Sequence, residues 1–328
     1  MIVTSTMKWC AALFGFALVG TAPLGASAAD WPARPVAILD GFQPGGGTDV
    51  LVRFLAPEVS KIIGQQVIVE NRSGASGHIA AQAVSRASPD GHTLLVQTTT
   101  MITSQSLVRN PGYDVQRDLA PVTQLTRIGA VLVAHPVLPV RNVREFLALA
   151  KKRPGELIFA SSGVGSFAHV VGELVQQHTN IRATHVPYRG ANPATIAVLS
   201  GEATFAFIGQ LVSVPHIASG RLKALAVTTI RRSPAVPNVP TLDESGVKGL
   251  DVANWYGIWA PGRTQGATVD ALNRAFVRAL GSSVVRGRFE KEGVEFVGSS
   301  PAEFAAYVKS EVTRWADVAR KAGLKPES

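Results

Sequence analysis

Two strand–glycine-loop–helix units, set about 115 residues apart, limit the fold of this chain more than any other feature of its sequence. The first runs from Pro35-Val36-Ala37-Ile38-Leu39 through Phe42-Gln43-Pro44-Gly45-Gly46-Gly47-Thr48-Asp49 into residues 48–63. There Leu51, Phe54, Leu55, Val59 and Ile62 recur at three- and four-residue steps, which predicts a helix with one apolar face. The second runs from Leu157-Ile158-Phe159-Ala160 through Ser161-Ser162-Gly163-Val164-Gly165-Ser166 into a helix over 167–178. Short β runs alternate with amphipathic helices elsewhere too. Strands are expected over 66–70, 93–96, 131–134, 185–188, 204–208, 222–228 and 255–259, and helices over 79–87, 143–152, 193–200, 269–280 and 301–322. This alternation predicts an α/β architecture. Ligands of open α/β sheets collect at the carboxyl ends of strands, beside helix N-termini. Two such ends facing each other would make an interdomain cleft. The strand at 255–259 lies where the chain could return to the first sheet, so residues 29–130 with 255–328 are expected as one domain and 131–254 as the other.

Composition agrees with two folded domains. The 328 residues are 46% hydrophobic and 17% charged, too apolar for a disordered chain. One cysteine excludes a disulfide framework and any cysteine-based zinc or iron–sulfur site. The 31 glycines and 20 prolines show no collagen period and punctuate turns instead.

Residues 1–28 read as a secretory signal peptide. Lys8 supplies the positive start, residues 9–19 form an apolar run, and Pro23 and Gly25 break it before Ala26-Ser27-Ala28. The run is shorter than the roughly 18–20 residues a membrane span needs. Cleavage would leave Ala29 or Asp30 first and would remove Cys10, which suits an exported, oxidising compartment. Without Lys8 the balance is 31 basic to 23 acidic residues, a net charge of +8. Arg53, Lys61, Arg72, Arg86, Arg109 and Arg117 are scattered. Only Lys151-Lys152-Arg153 and Arg231-Arg232 cluster, with no aromatics between them, which argues against nucleic acid. The excess charge fits either anionic ligands or a solvated basic surface.

Three consecutive glycines expose backbone N–H groups, and the helix behind them adds partial positive charge. Thr48 or Asp49 can cap that helix. The loop therefore suits a carboxylate or another small anion, or it is a flexible turn closed by its cap. It lacks the Lys-Ser/Thr end of a Walker A loop and the G-x-G-x-x-G spacing of a dinucleotide site. The second loop adds serine hydroxyls. His169 and Glu173 share a helix face, as a metal pair or as a hydrogen-bonded or packed pair, with no third ligand nearby. Ser166 and His169 are close in sequence, but no G-x-S-x-G elbow, H-E-x-x-H or paired carboxylates accompany them, so no enzyme is expected.

Several further stretches stand beside the 42–49 and 161–166 loops: Trp31-Pro32-Ala33-Arg34-Pro35-Val36, Gly64-Gln65-Gln66-Val67-Ile68-Val69-Glu70-Asn71-Arg72 and Ala87-Ser88-Pro89-Asp90-Gly91-His92-Thr93-Leu94-Leu95. His185-Val186-Pro187-Tyr188-Arg189-Gly190 and Val239-Pro240-Thr241-Leu242 follow. In this combination and order the chain resembles the Bug family, the TctC-type solute-binding proteins of tripartite tricarboxylate transporters. The resemblance implies a periplasmic, type II Venus-flytrap fold with two α/β domains joined by crossing hinge strands. It implies capture of a small organic acid, delivery to a permease with one large and one small membrane subunit, and no metal or organic cofactor. A monomer is expected.

Carried over by position, the ligand-binding residues are Phe42, Pro44, Gly45, Gly46, Gly47, Thr48 and Asp49 of the first loop, with Thr98 and Thr99. From the second domain come Ser162, Gly163, Gly165, Ser166, His169, Tyr188, Arg189 and Thr204. Phe42, with Phe167 or Trp255, would form an apolar wall. Thr204 stands where the family often has an acid, which favours a plain carboxylate over an amino-bearing ligand. Gln97-Thr98-Thr99-Thr100 replaces a commonly glycine-rich run, His78 a frequent Asn and His92 a frequent Tyr. A ligand sensor reporting to a receptor kinase and an exported hydrolase are the alternative roles.

Overall fold

A computed structural model describes residues 1, 2, 31–105, 108 and 110–321. The expected signal peptide, but for its first two residues, lies outside the described residues, as do Cys10 and Arg109. One compact unit starts at Trp31.

The first unit folds as expected. Strand β1 (Val36–Asp40) turns into helix α1 (Gly47–Ile63). Leu51, Leu55 and Val59 on its inner face are fully buried. Each contributes about 1.5–3 kcal/mol by leaving water, so Leu55→Asp would break this packing. Gly64 ends the helix in the left-handed region at φ 72°, where a side chain would be strained. Strand β2 (Val67–Asn71), helix α2 (His78–Ser85), strand β3 (Thr93–Thr98) and the short helix α3 (Thr99–Thr103) follow. β1 lies parallel between β2 and β3.

Strand β4 (Leu119–Ala134) runs for 16 residues, about 50 Å at the usual rise, whereas the sequence pattern marks only residues 131–134. Beyond it come α4 (Val143–Lys152), β5 (Ile158–Ser161), α5 (Phe167–Thr179), β6 (Thr184–Pro187) and α6 (Ala191–Leu199). Then follow β7 (Phe205–Gly209), α7 (Gln210–Ala218) and β8 (Lys223–Val227). β5 lies parallel to both β6 and β7. The chain returns through β9 (Ala253–Pro261) and ends in α8 (Gly266–Leu280), α9 (Ser283–Phe289), β10 (Glu295–Phe296) and α10 (Pro301–Lys321).

The path β2-β1-β3-β9-β4-β7-β5-β6 makes two lobes sharing one curled sheet. β4 joins them. Its residues 119–129 pair antiparallel with β9, and residues 130–134 pair with β7 and β8. β9 in turn pairs with β3, so β4 and β9 are the crossing strands of the two-domain binding-protein fold.

Trp255 and Trp259 are fully buried against Phe304 of α10. Glu311, itself buried, accepts from the indoles of Trp255 at 3.0 Å and Trp315 at 2.8 Å, and from Arg314. A buried carboxylate is tolerable only when its oxygens are bonded in this way. Among the described residues no helix is long and apolar enough to cross a membrane.

Candidate functional site

A cavity of about 70 Å³ lies between the lobes, at the carboxyl ends of β1, β3 and β7. That is several times the 10–15 Å³ or so that admits a single water. Four helices of nine or more residues begin at its wall: α1, α5, α6 and α7. Three have glycine at the N-cap (Gly46, Gly190 and Gly209) with no side-chain cap bond. The fourth is capped, because Ser166 Oγ accepts from the His169 N–H. Helix N-termini carry partial positive charge and unpaired N–H groups. No charged side chain lines this cavity. Any attraction for an anion would therefore come from backbone dipoles.

Of the expected residues, Phe42, Gly46, Gly47, Thr48, Thr98 and Ser162 line the cavity. Gly163, Tyr188 and Arg189 line a wider groove of about 760 Å³ beside it, which shares Phe42, Gln43 and Ser162 with the cavity. Phe167 supplies apolar wall, whereas Trp255 belongs to the core.

Pro44, Gly45, Asp49, Thr99, Gly165, Ser166, His169 and Thr204 line neither space. Most of them build the loops. Asp49 accepts from Gly45 N at 2.9 Å, Arg53 Nε at 2.8 Å and Asn71 Nδ2 at 2.9 Å. Burial alone would raise its pKa, but these bonds prevail and hold the carboxyl below its usual range. Thr99 Oγ1 accepts from Trp255 N. Thr204 corrects the expectation most clearly. It precedes β7, where its hydroxyl accepts from Ile158 N, while the other end of that strand, Ile208 and Gly209, faces the cavity. Its replacement of an acid therefore carries no argument about the ligand.

His169 supports the second loop from below. Its Nδ1 accepts from Gly165 N at 3.1 Å, and its ring stacks on His185, whose Nε2 lies 2.7 Å from Ser161 Oγ. Burial pushes the His169 pKa down to about 4 and the His185 pKa to about 3, so both rings are neutral near pH 7. Glu173 stands 3.9 Å from His169 Nε2. No group of three metal-ligating side chains occurs among the described residues.

Gln43, within the expected 42–49 loop, also lines the cavity, and several wall residues escaped the sequence reading: Thr100, Asn192, Gly209, Asn254 and Tyr256. Gly190 and Gly209 repeat the strand–glycine–helix signature of the two loops and could have been found by it. The hydroxyl of Tyr256 sits where a Cβ on Gly47 would fall. Asn254 Oδ1 is buried in the wall without a hydrogen-bond partner among the described residues.

The lips of the cleft touch. Asn192 Nδ2 donates to Pro44 O at 3.1 Å, Ser76 Oγ to Val164 O at 2.7 Å and Thr103 Oγ1 to Gly165 O at 2.5 Å. Phe167 N donates to Thr100 Oγ1 at 3.2 Å. The structure is thus a closed arrangement.

Known proteins share this sequence and shape. The family described as tripartite tricarboxylate transporter family receptor matches residues 51–324. Protein BugT of Bordetella pertussis is 36% identical over 301 residues, 91% of this chain and 92% of that protein. The solved structure of R. palustris Rpa4515 with adipate has a TM-score of 0.88 and 35% identity, covering 91% of this chain and 100% of that one. MatC from Rhodopseudomonas palustris with bound malate has a TM-score of 0.84 and 33% identity, covering 88% of this chain and 99% of that one.

Proposed function

The chain belongs to the tripartite tricarboxylate transporter receptor family, and from that membership we propose that it captures a small organic carboxylate in the periplasm and delivers it to a tripartite membrane permease. One observation carries the reading: a cavity free of charged side chains, ringed by the N-termini of four helices, three of them glycine-capped. Such a wall holds an anion through N–H groups and helix dipoles. It offers no carboxylate to pair with an ammonium group, which supports a plain carboxylate over an amino acid. No histidine or acid is among its lining residues, and the one carboxylate bonded to a lining hydroxyl, Asp40 on Thr48, is fully buried and also ties down the Phe42 N–H, which supports binding without a reaction. Adipate and malate in the related structures are the same class of solute.

Residues 29–130 with 255–328 would form one domain and 131–254 the other, hinged where β4 changes partners between Gly129 and Ala130. A ligand favours closure only by touching both lobes at once. Gly46, Gly47 and Thr48 would grip it from the first and Ser162, Asn192 and Gly209 from the second. The closed face would then be read by the permease.

Thermal melting against a panel of organic acids tests this. An acid at 100 times its Kd adds about 2.7 kcal/mol of stability. Stabilisation by malate, adipate or a similar acid is the expected result. Stabilisation by amino acids or sugars alone would overturn the proposal.

A further inference from the structure

The first anion-binding loop is built over a buried acid. Asp40, the last residue of β1, is fully buried. Its Oδ1 accepts from Phe42 N and from Thr48 Oγ1, both at 3.0 Å. One carboxylate oxygen thus ties together the start and the end of the loop. The other, Oδ2, is buried with no partner among the described residues. Thr48, Gly46 and Gly47 form cavity wall on the far side of those bonds. A carboxylate seated on the loop and a charged Asp40 would therefore lie on opposite sides of the same few peptide groups.

Asp40 is not neutralised by its surroundings. On α1 it faces Asp49, which opposes its ionisation, and Arg53, which favours it; Arg53 is already bonded to Asp49 and Asn71. On β9 the Tyr256 hydroxyl is the titratable neighbour, pushed up by burial and by Asp40. Across the ladder, Asn71 of β2 and Val96 of β3 stand opposite it and carry no charge. Arg72, next along, donates its backbone N–H to the Asp40 backbone carbonyl, not to the carboxylate, and turns its side chain to Glu70.

We propose that Asp40 makes ligand capture proton-linked: seating a carboxylate on the 42–48 loop draws up to one proton from solvent onto the Asp40 carboxyl. Burial already lifts the pKa of this group to about 7, so both protonation states are populated at neutral pH. A second negative charge nearby raises it further, and by reciprocity the protonated protein binds the anion more tightly. Affinity therefore falls as pH rises through neutrality, by about tenfold in all for each unit that binding shifts the pKa. Below about pH 5 the ligand's own carboxyls begin to protonate and affinity falls again.

This inference rests on the carboxylate reading above, and titration calorimetry with malate and adipate separates the two. Between pH 6 and 8.5 the wild-type affinity should fall several-fold to about tenfold, and at pH 7 the enthalpy should vary with the ionisation enthalpy of the buffer, reporting proton uptake. Asp40→Asn keeps an acceptor for Phe42 and Thr48 but cannot titrate, and its affinity should be level across that range. Binding that is equally strong at pH 6 and 8.5 with no buffer dependence would overturn the inference alone, as would Asp40→Asn retaining the wild-type pH dependence. Absence of binding by either acid at every pH would overturn the carboxylate reading and the inference with it. The buffer comparison needs only the wild-type protein, so it decides even if the variant does not fold.

Discussion

His169 lies flat on His185, with ring centroids 4.0 Å apart and planes 9° from parallel, directly beneath the second glycine loop. Two imidazoles so placed cannot both be charged without repulsion, and each is also desolvated. Their folded-state pKa values of about 4 and about 3 lie below the ordinary 6.5. The stability they contribute is complete above about pH 6.5 and is lost as pH falls through their folded values. For His169 alone the loss reaches roughly 3 kcal/mol by pH 4. Urea unfolding from pH 7 to pH 4 should show it, and His185→Gln should make the curve shallower. Asp40, raised by burial to about 7, gains stability over the same window, so the pair is read from the difference between the two proteins: parallel pH curves for wild type and His185→Gln would contradict this picture.

Gly47 has no room for a side chain, because its Cβ would fall on the Tyr256 hydroxyl. Gly47→Ala should weaken binding of whichever acid stabilises the protein by tenfold or more, since the loop must shift off its N–H geometry. Adding Tyr256→Phe removes the obstructing atom and should restore part of the loss. Calorimetry on the single and double variants measures the rescue. An Ala variant that binds like wild type would place the anion elsewhere.

Asn192 closes the cleft through its bond to Pro44 O. Asn192→Ala removes this interlobe hydrogen bond, worth about 1 kcal/mol or a factor of about 5 in affinity, together with the amide's grip on the ligand, so the loss should be at least about fivefold. The effect should appear as faster ligand release, with urea stability of the unliganded protein changed by less than about 0.5 kcal/mol. Stopped-flow release kinetics and unfolding curves together check both parts.

Glu311 holds two buried indoles, those of Trp255 and Trp315. Glu311→Ala strands both N–H groups away from water and should cost about 2–4 kcal/mol of stability. Ligand affinity at low temperature should stay within twofold of wild type, because neither tryptophan lines the cavity. A large affinity loss with little destabilisation would return Trp255 to the site.

Local signals read well because their causes are local. Leu51, Leu55 and Val59 announced α1 by spacing, and the glycines of both loops announced the turns before their helices. β4 was mostly hidden because Pro121 and Gly129 interrupt the apolar pattern of a strand whose pairing depends on β9, more than 100 residues later. α7 was hidden by its Pro215 and by β-branched Val212 and Val214. Tyr256, Asn254 and Asn192 reach the cavity only because the return strand and the second lobe close over it, which no short window of sequence records. Thr204 was placed wrongly for a different reason. It stands at the amino end of its strand, and the carboxyl-end rule that located both loops, applied to β7, selects Gly209 instead.

β4 serves both lobes as one uninterrupted run of backbone. Halves threaded on a shared ribbon cannot slide past each other without tearing its ladder; they can only flex it, as a leaf spring flexes. Opening and shutting would then follow a single arc about the stretch near Gly129. How quickly the protein seizes its solute, and how readily it surrenders it, would be set by the stiffness of that stretch as much as by the grip of the glycine loops.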